Sequence, residues 1–304
     1  MKMRRLGRTG LQVSEVGFGG APAGIENYTG QWDPNAQDSA QKFNQAVARA
    51  LDLGINFFDT AMAYGAGRSE QMLGAALGNR RQQVILATKT NWRQQTRAGI
   101  EANLNASLDR LGTDYIDLYQ IHGDHPDLYT PEDLNSIVHG EVLDAIERAR
   151  DAGKVRFIGL TSEDPTAAMP FMETGRFDTV QVRYNLVYQS AFHHLLPQCE
   201  RLDIGVLTMR TNTSGILQKY LEATGWKEQP GGYNVHEAAL NYVLSDTRVS
   251  GAIVGMRSVR SVESTVAIAA NTSKRVDLEW LHARRADAQR APWVLPAASA
   301  KVAP

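Results

Sequence analysis

Four side chains of the 304-residue chain stand where apolar runs give way to loops, and together they could move a proton. Asp59 and Tyr64 lie in the stretch Asp59-Thr60-Ala61-Met62-Ala63-Tyr64-Gly65 after one run, Lys89 closes the next, and His122 ends a third. A phenol is a poor acid near neutrality, with an ordinary pKa of ~10, and a neighbouring ammonium lowers that value by stabilising the phenolate. Lys89 supplies that charge in this reading. Asp59 pairs with it, since a buried carboxylate needs a partner to stay ionised. A neutral His122 then donates a hydrogen bond to a carbonyl oxygen and orients it beside Tyr64. The set suits carbonyl reduction, in which hydride reaches carbon and Tyr64 protonates oxygen. Taken singly, each residue has a plainer explanation: Asp59 as a helix cap, Tyr64 as a packing residue, Lys89 as a solvated or Schiff-base lysine. Their ordered occurrence at successive run ends outweighs these.

The elements that must position them follow a repeat of short apolar run, polar loop and amphipathic helix. Eight strand candidates appear: Val16 to Gly19, Ile55 to Asp59, Val84 to Thr88, Ile116 to Ile121, Val155 to Leu160, Thr179 to Val182, Ile204 to Met209 and Gly251 to Val254. Between them apolar residues recur at three and four, as in Ala40, Phe43, Val47, Ala50 and Leu51, in Ile100, Leu104, Leu108 and Leu111, and in Leu240, Val243 and Leu244. Gly54, Gly112 and Gly153 follow helical stretches and suit the left-handed terminating position. Thr96 and Asp164 are placed to cap new helices, with Pro165 at a first helical position. Strands buried on both faces and joined through helices pair in parallel. Eight such units imply an α/β fold of the (β/α)8 TIM-barrel type, with reactive residues at the C-terminal strand ends, rather than an open doubly wound sheet. Residues 1–14 read as a small β-hairpin ahead of the barrel, 20–37 as a long loop, and 291–304, with Trp293, as a tail. The expectation is one barrel domain over residues 1–304.

The formal charge is -1, with 32 Lys+Arg against 33 Asp+Glu. That balance argues against a nucleic-acid or anionic-membrane binder, both of which need a basic footprint. No apolar run approaches the ~18 residues of a spanning helix, and the N-terminal segment lacks the apolar core of a signal peptide. A lone cysteine, Cys199, cannot close an internal disulfide and fits a reducing, cytoplasmic setting. His122, His125, Asp124 and Asp127 share one loop but find no ligand elsewhere in the chain, so no metal is expected. The neighbours His193 and His194 point ~100° apart on a helix and do not form a ligand pair.

The segments RLGRTGLQVSEVGFGG, GINFFDTAMAYGAGRSE, the ATK run ending at Lys89, YIDLYQIHGDH and QVRYNL closely resemble the aldo-keto reductases, in the family's order and over roughly residues 3 to 270. The resemblance implies a (β/α)8 barrel, an NADPH cofactor (less often NADH) extended across the C-terminal rim, and the tetrad Asp59, Tyr64, Lys89 and His122 with Tyr64 as general acid. It places Thr161-Ser162 where the family has Ser-Asn at the nicotinamide carboxamide, with Gln181 matching the family glutamine for the same group. Met209 stands in place of an aromatic that stacks on the nicotinamide, and Arg210 follows as a phosphate partner. Gly255, Arg257 and Ser258 fall where the family grips the adenosine 2'-phosphate, and Arg260 lies on the first turn of the next helix. The family's adenine-contacting Glu-Asn is replaced by Ser264-Thr265.

For the carbonyl pocket, Trp92, three positions after Lys89, is the leading wall residue, ahead of Tyr28 and Trp32 in the long loop. Gly19 and Gly20 let backbone approach cofactor or substrate closely. The expected partner is a small carbonyl compound, and neither its identity nor the oligomeric state is legible. The competing function is a non-catalytic nicotinamide-binding redox sensor, and a third is a Schiff-base lyase built on Lys89.

Overall fold

The computed structural model describes residues 1–28, 30–93, 95–123, 129–223 and 234–283. The expected hairpin forms from β1 (Met3–Arg5) and β2 (Gln12–Ser14), paired antiparallel. The eight expected runs become β3 (Val16–Gly19), β4 (Phe57–Asp59), β5 (Ile85–Thr90), β6 (Ile116–Ile121), β7 (Val155–Ser162), β8 (Thr179–Arg183), β9 (Gly205–Met209) and β10 (Gly251–Gly255). They close as a parallel barrel in the order β10-β3-β4-β5-β6-β7-β8-β9.

Three strands start later than the apolar pattern suggests, for one reason. The Ile55 N–H bonds to Ala50 O, that of Val84 to Arg81 O and that of Ile204 to Cys199 O, so these groups finish the preceding helical turn instead of starting a ladder.

Helices lie outside. They are α1 (Ala21–Gly24), α2 (Ser39–Asp52), α3 (Arg68–Leu77), α4 (Arg97–Leu111), α5 (Pro131–His139), α6 (Glu141–Asp151), α7 (Pro165–Glu173), α8 (Leu195–Arg201), α9 (Ile216–Ala223), α10 (Val235–Ser245) and α11 (Val259–Ala270). Thr96 caps α4 by accepting from the Gly99 N–H, and Asp164 caps α7 by accepting from that of Thr166, with Pro165 in the first turn. Gly54, Gly112 and Gly153 all take the left-handed conformation expected of them, φ 83°, 63° and 77°. α2 turns Phe43, Val47 and Ala50 inward, and α4 turns Ile100, Leu104, Leu108 and Leu111 inward, onto the outer faces of the strands.

The barrel interior is layered. Its apolar floor consists of Phe57, Ile85, Ala87, Leu118, Leu207 and Ile253, and the hairpin adds Leu6 and Val13 from below. Gly7, at φ 48°, lies so close to β9 that a Cβ would meet Gly205 N at 2.1 Å, so a residue without a side chain is required there. Arg4 fastens the hairpin by donating to the carbonyls of Leu244, Asp246 and Val249 and to Glu15, which also pairs with Arg275. The N-terminal mouth is thereby closed, and chemistry is left to the other end. Among the described residues no helix is long and apolar enough to cross a membrane.

Candidate active site

Strand periodicity carries polar side chains up the inside of the barrel. Two residues above the apolar Phe57 comes Asp59; above Ala87 comes Lys89; above Leu118 come Gln120 and then His122. Parallel register sets Asp59 beside Ala87 and Lys89 beside Gln120. Tyr64 is not on a strand. It arrives through a loop in which Gly65, Ala66 and Gly67 are all left-handed, at φ 62°, 52° and 89°, before α3 starts at Arg68. A Cβ on Gly65 would meet Gly24 O at 2.0 Å, so this turn is pressed against α1 and its path is held.

The four residues meet as the sequence suggests. Lys89 is 1% exposed, and its Nζ donates to Asp59 Oδ2 at 2.8 Å, to Thr60 O at 2.7 Å and to Tyr64 OH at 3.4 Å. Three N–H donors face three oxygens, which is the full valence of an ammonium. Burial alone would drive a lysine toward its neutral form, but Asp59 and Tyr64 outweigh it and raise the Lys89 pKa above its ordinary value. Burial pushes the Asp59 carboxyl up, opposed by Lys89 and by hydrogen bonds from Gln181 and Gln120. The rings of Tyr64 and His122 meet edge-on with centroids 5.7 Å apart. Burial, then the Lys89 charge, lower the His122 pKa to about 3, so the imidazole is neutral in any ordinary buffer. Its Nδ1 is buried without a hydrogen-bond partner.

One expectation is reversed. Lys89 was expected to lower the phenol pKa, and it does act in that direction, but burial of Tyr64 is the larger effect and Asp59 adds to it, so the pKa is raised. The ammonium is largely neutralised by its own carboxylate. Tyr64 is therefore a phenol that keeps its proton through neutral pH.

Above these groups opens a cavity of about 690 Å³. Asp59, Tyr64, His122 and Gln181 form its floor, and it extends past Met209, Arg210 and Asn212 to Gly19, Gly255 and the loop residues Tyr28 and Gly30. One wall is strained backbone: Arg210, Thr213 and Ser214 each have φ 53°, and Gly215 follows at 75°. Non-glycine residues held left-handed cost of order 1–3 kcal/mol each and cluster where a ligand is gripped. Asn212 Oδ1, on this wall, is buried without a partner. A groove with an unmet polar atom and strained backbone on one wall fits an extended dinucleotide running from Gln181 toward Gly255.

The remaining expected contacts divide. Gln181, Met209, Arg210 and Gly255 line the cavity. The Arg210 guanidinium, however, is turned to Glu163 (2.5 Å) and Ser214 (3.2 Å), so a phosphate would have to share it with a carboxylate. Thr161 and Ser162 are absent from the described lining. Thr161 Oγ1 accepts from the Gly123 N–H at 2.8 Å, and Ser162 Oγ donates to Asp164 O at 2.7 Å, so both hydroxyls brace loops. Ser258 caps α11 by accepting from the Ser261 N–H. Arg257 donates to the carbonyls of Gly30 and Gln31 and lies 5.1 Å from the Trp32 ring, which puts its charge at the rim of the groove.

The two pocket expectations are corrected. Trp92 is 4% exposed, belongs to the hydrophobic core with its ring 5.9 Å from that of Tyr129, and is absent from the described lining of the cavity. Gly20 bonds to Asp59 O, and a Cβ there would meet Ser69 Oγ at 2.8 Å; its lack of a side chain serves strand–helix packing, whereas Gly19 borders the cavity. His125, Asp124 and Asp127 lie outside the described residues, as do Trp293 and the 291–304 tail.

Sequence reasoning missed Gln120 and Glu163, whereas Tyr28, the second choice for a pocket wall, does line the cavity. Gln120 had a signal, since it precedes His122 by two on one strand and so shares its inward face. Glu163 had none: its pairs with Arg183 and Arg210 join three separate strand ends.

The chain is similar to known proteins over most of its length. The profile described as "Aldo/keto reductase family" matches residues 16–279. L-galactose dehydrogenase of Arabidopsis thaliana is 31% identical, covering 88% of this chain and 88% of its own. NADH-specific methylglyoxal reductase of Escherichia coli is 28% identical, over 71% of this chain and 69% of its own. Among solved structures, an aldo-keto reductase from Bacillus halodurans in its holo form superimposes with a TM-score of 0.72 at 28% identity, covering 92% of this chain and 93% of that one.

Proposed function

The chain belongs to the aldo/keto reductase family, and on that premise we propose that it reduces an aldehyde or ketone to the alcohol with NADPH, Tyr64 giving the proton. The observation that carries this reading is the buried Asp59–Lys89–Tyr64 chain ending beside a neutral His122 on a cavity wall. The nicotinamide supplies a hydride to the carbonyl carbon when bound. Everything else is done by side chains of this protein.

His122, neutral and on the cavity wall, is suited to hydrogen-bond the carbonyl oxygen and hold it next to the Tyr64 hydroxyl. As negative charge builds on that oxygen, Tyr64 donates its proton. The resulting phenolate is stabilised by the Lys89 ammonium 3.4 Å away, which remains charged because Asp59 and Thr60 O anchor it. Burial keeps water out, so the Lys89 ammonium, although paired with Asp59, acts on the phenolate with little screening by solvent.

Gln181 at the floor and the strained 210–215 wall would hold the cofactor, with Arg257 at the far rim favouring the extra phosphate of NADPH over NADH. The Escherichia coli relative named for NADH specificity makes that choice a real one to test. A lone, buried cysteine fits a cytoplasmic setting.

The test is NADPH oxidation, followed at 340 nm, with a panel of small aldehydes and ketones. Turnover of some members at micromolar enzyme is expected. Tight NADPH binding without turnover on any carbonyl would replace this reading with that of a redox-sensing module.

A further inference from the structure

Gln120 is fully buried on β6, level with Lys89 on β5 and two residues below His122. Its Nε2 donates in two directions, to Asp59 Oδ1 at 3.4 Å and to Gln181 Oε1 at 3.0 Å. A flipped amide would set Oε1 against the carboxylate, so charge decides its orientation. Its own Oε1 is then buried with no hydrogen-bond partner. An unmet buried acceptor is a cost that an apolar residue at this level would avoid, so the amide is retained for its donor side. Gln181 in turn lines the cavity and favours the Asp59 anion. Asp59 thus has Lys89 on one oxygen and the Gln120 amide on the other, and that amide is also bonded to Gln181.

Building on the carbonyl-reductase reading, we propose that Gln120 is a positioning residue that bridges Asp59 and Gln181, keeping Asp59 ionised and aimed at Lys89 and tying the proton-donating group to the part of the groove that Gln181 lines. It touches neither Tyr64 nor the cavity. Its effect passes through Asp59.

The charged and titratable groups around this carboxylate are Lys89 from β5, Tyr64 from the loop after β4 and His122 from the end of β6, with Tyr28 and Arg210 acting on Tyr64 from the rim. With the Gln120 donor removed, the Asp59 anion loses one of its hydrogen bonds and takes up a proton more readily. Once protonated, it no longer anchors the Lys89 charge.

The experiment compares wild type with Gln120→Met, which keeps length and removes the donor, and Gln120→Glu, which keeps shape and adds a like charge. Cofactor-free protein labelled with 13C at aspartate side-chain carboxyls is titrated by NMR, the Asp59 resonance being assigned with Asp59→Asn. The Asp59 midpoint is expected to rise by about one pH unit in Gln120→Met and by more in Gln120→Glu. The acid limb of kcat for NADPH-dependent carbonyl reduction should rise with it. Coincident Asp59 midpoints in wild type and both variants overturn the proposal whatever the activities, and so does a shifted midpoint with an unmoved acid limb. If Gln120→Met does not fold, the Gln120→Glu titration decides alone. Absence of turnover in wild type removes the carbonyl-reductase reading, while the NMR titration still decides whether Gln120 holds Asp59.

Discussion

Replacing Lys89 by methionine should make the protein's stability steeply dependent on pH. The substitution keeps side-chain length but leaves the Asp59 carboxylate, 3% exposed, without the donor that now stands 2.8 Å away. Breaking one side of a buried ion pair costs about 3–5 kcal/mol. Asp59 can escape most of that cost by taking up a proton, so its folded pKa rises well above the unfolded value of ~3.9. The folded state then binds more protons than the unfolded one across the interval between the two values, and stability falls as pH rises. The slope is about 1.4 kcal/mol per pH unit, so a penalty of about 3–5 kcal/mol develops over roughly two to four units above pH ~4. Urea unfolding at half-unit intervals from pH 4.5 to 8 measures it. Lys89→Met should approach wild type at the acid end and lose about 3–5 kcal/mol relative to it by pH 7.5 to 8. The double variant Asp59→Asn/Lys89→Met removes both charges and should recover more than half of the loss at pH 8, while neither variant reduces carbonyls. A flat difference between Lys89→Met and wild type across this range, or no recovery in the double variant, would refute the claim that the buried Asp59–Lys89 pair is ionic and mutually dependent.

Three further outcomes are expected. Tyr64→Phe should lower kcat for carbonyl reduction by at least about 100-fold while leaving NADPH affinity within about twofold, because the lost hydroxyl acts on the reacting oxygen; stopped-flow turnover and fluorescence titration read the two, and retention of most turnover rejects Tyr64 as the acid. The His122 imidazole, held at a pKa of about 3 by burial and Lys89, should show no titration in 15N-edited NMR between pH 5 and 8. Because its folded pKa lies below the unfolded value, it binds fewer protons folded, so its contribution is fully present above pH ~6.5 and is lost as pH falls toward about 3; against His122→Asn, wild type should lose more stability per unit on the acid side. Arg257→Ala should raise the NADPH Kd by about tenfold and the NADH Kd by less than twofold, since a guanidinium at the rim discriminates the extra phosphate; equal effects on both would remove Arg257 from cofactor selection.

Everything set by local chain geometry was legible beforehand. Short apolar runs, the left-handed glycines 54, 112 and 153, and the caps at Thr96 and Asp164 depend on neighbours within a few residues; the glycines and caps are found where expected, and the strands form on the expected runs with shifted ends. Asp59, Lys89 and His122 were legible for the same reason. Each lies within one residue of the end of a strand of one parallel barrel, so position along the strand alone places them at a common rim. Tyr64 depended more on the motif than on geometry, because a left-handed Gly65-Ala66-Gly67 turn pressed on α1 returns it to that rim.

Tertiary structure decided what long-range neighbours decide. Whether the Arg210 charge is shared depends on Glu163, two strands away around the barrel, and nothing near Arg210 in sequence announces the pair. Whether Trp92 walls the pocket depends on which way its side chain turns, and it packs in the hydrophobic core against Tyr129. The sign of the Tyr64 shift depends on a balance among burial, Lys89 and Asp59 that residue types alone do not reveal. The sequence by itself determined the barrel, its orientation and the four groups at its mouth, because regular strands carry local spacing directly into space. Only the folded chain decided which charges are free to meet a ligand, because desolvation and ion pairing are set by residues that the fold, and not the chain order, brings within a few ångströms.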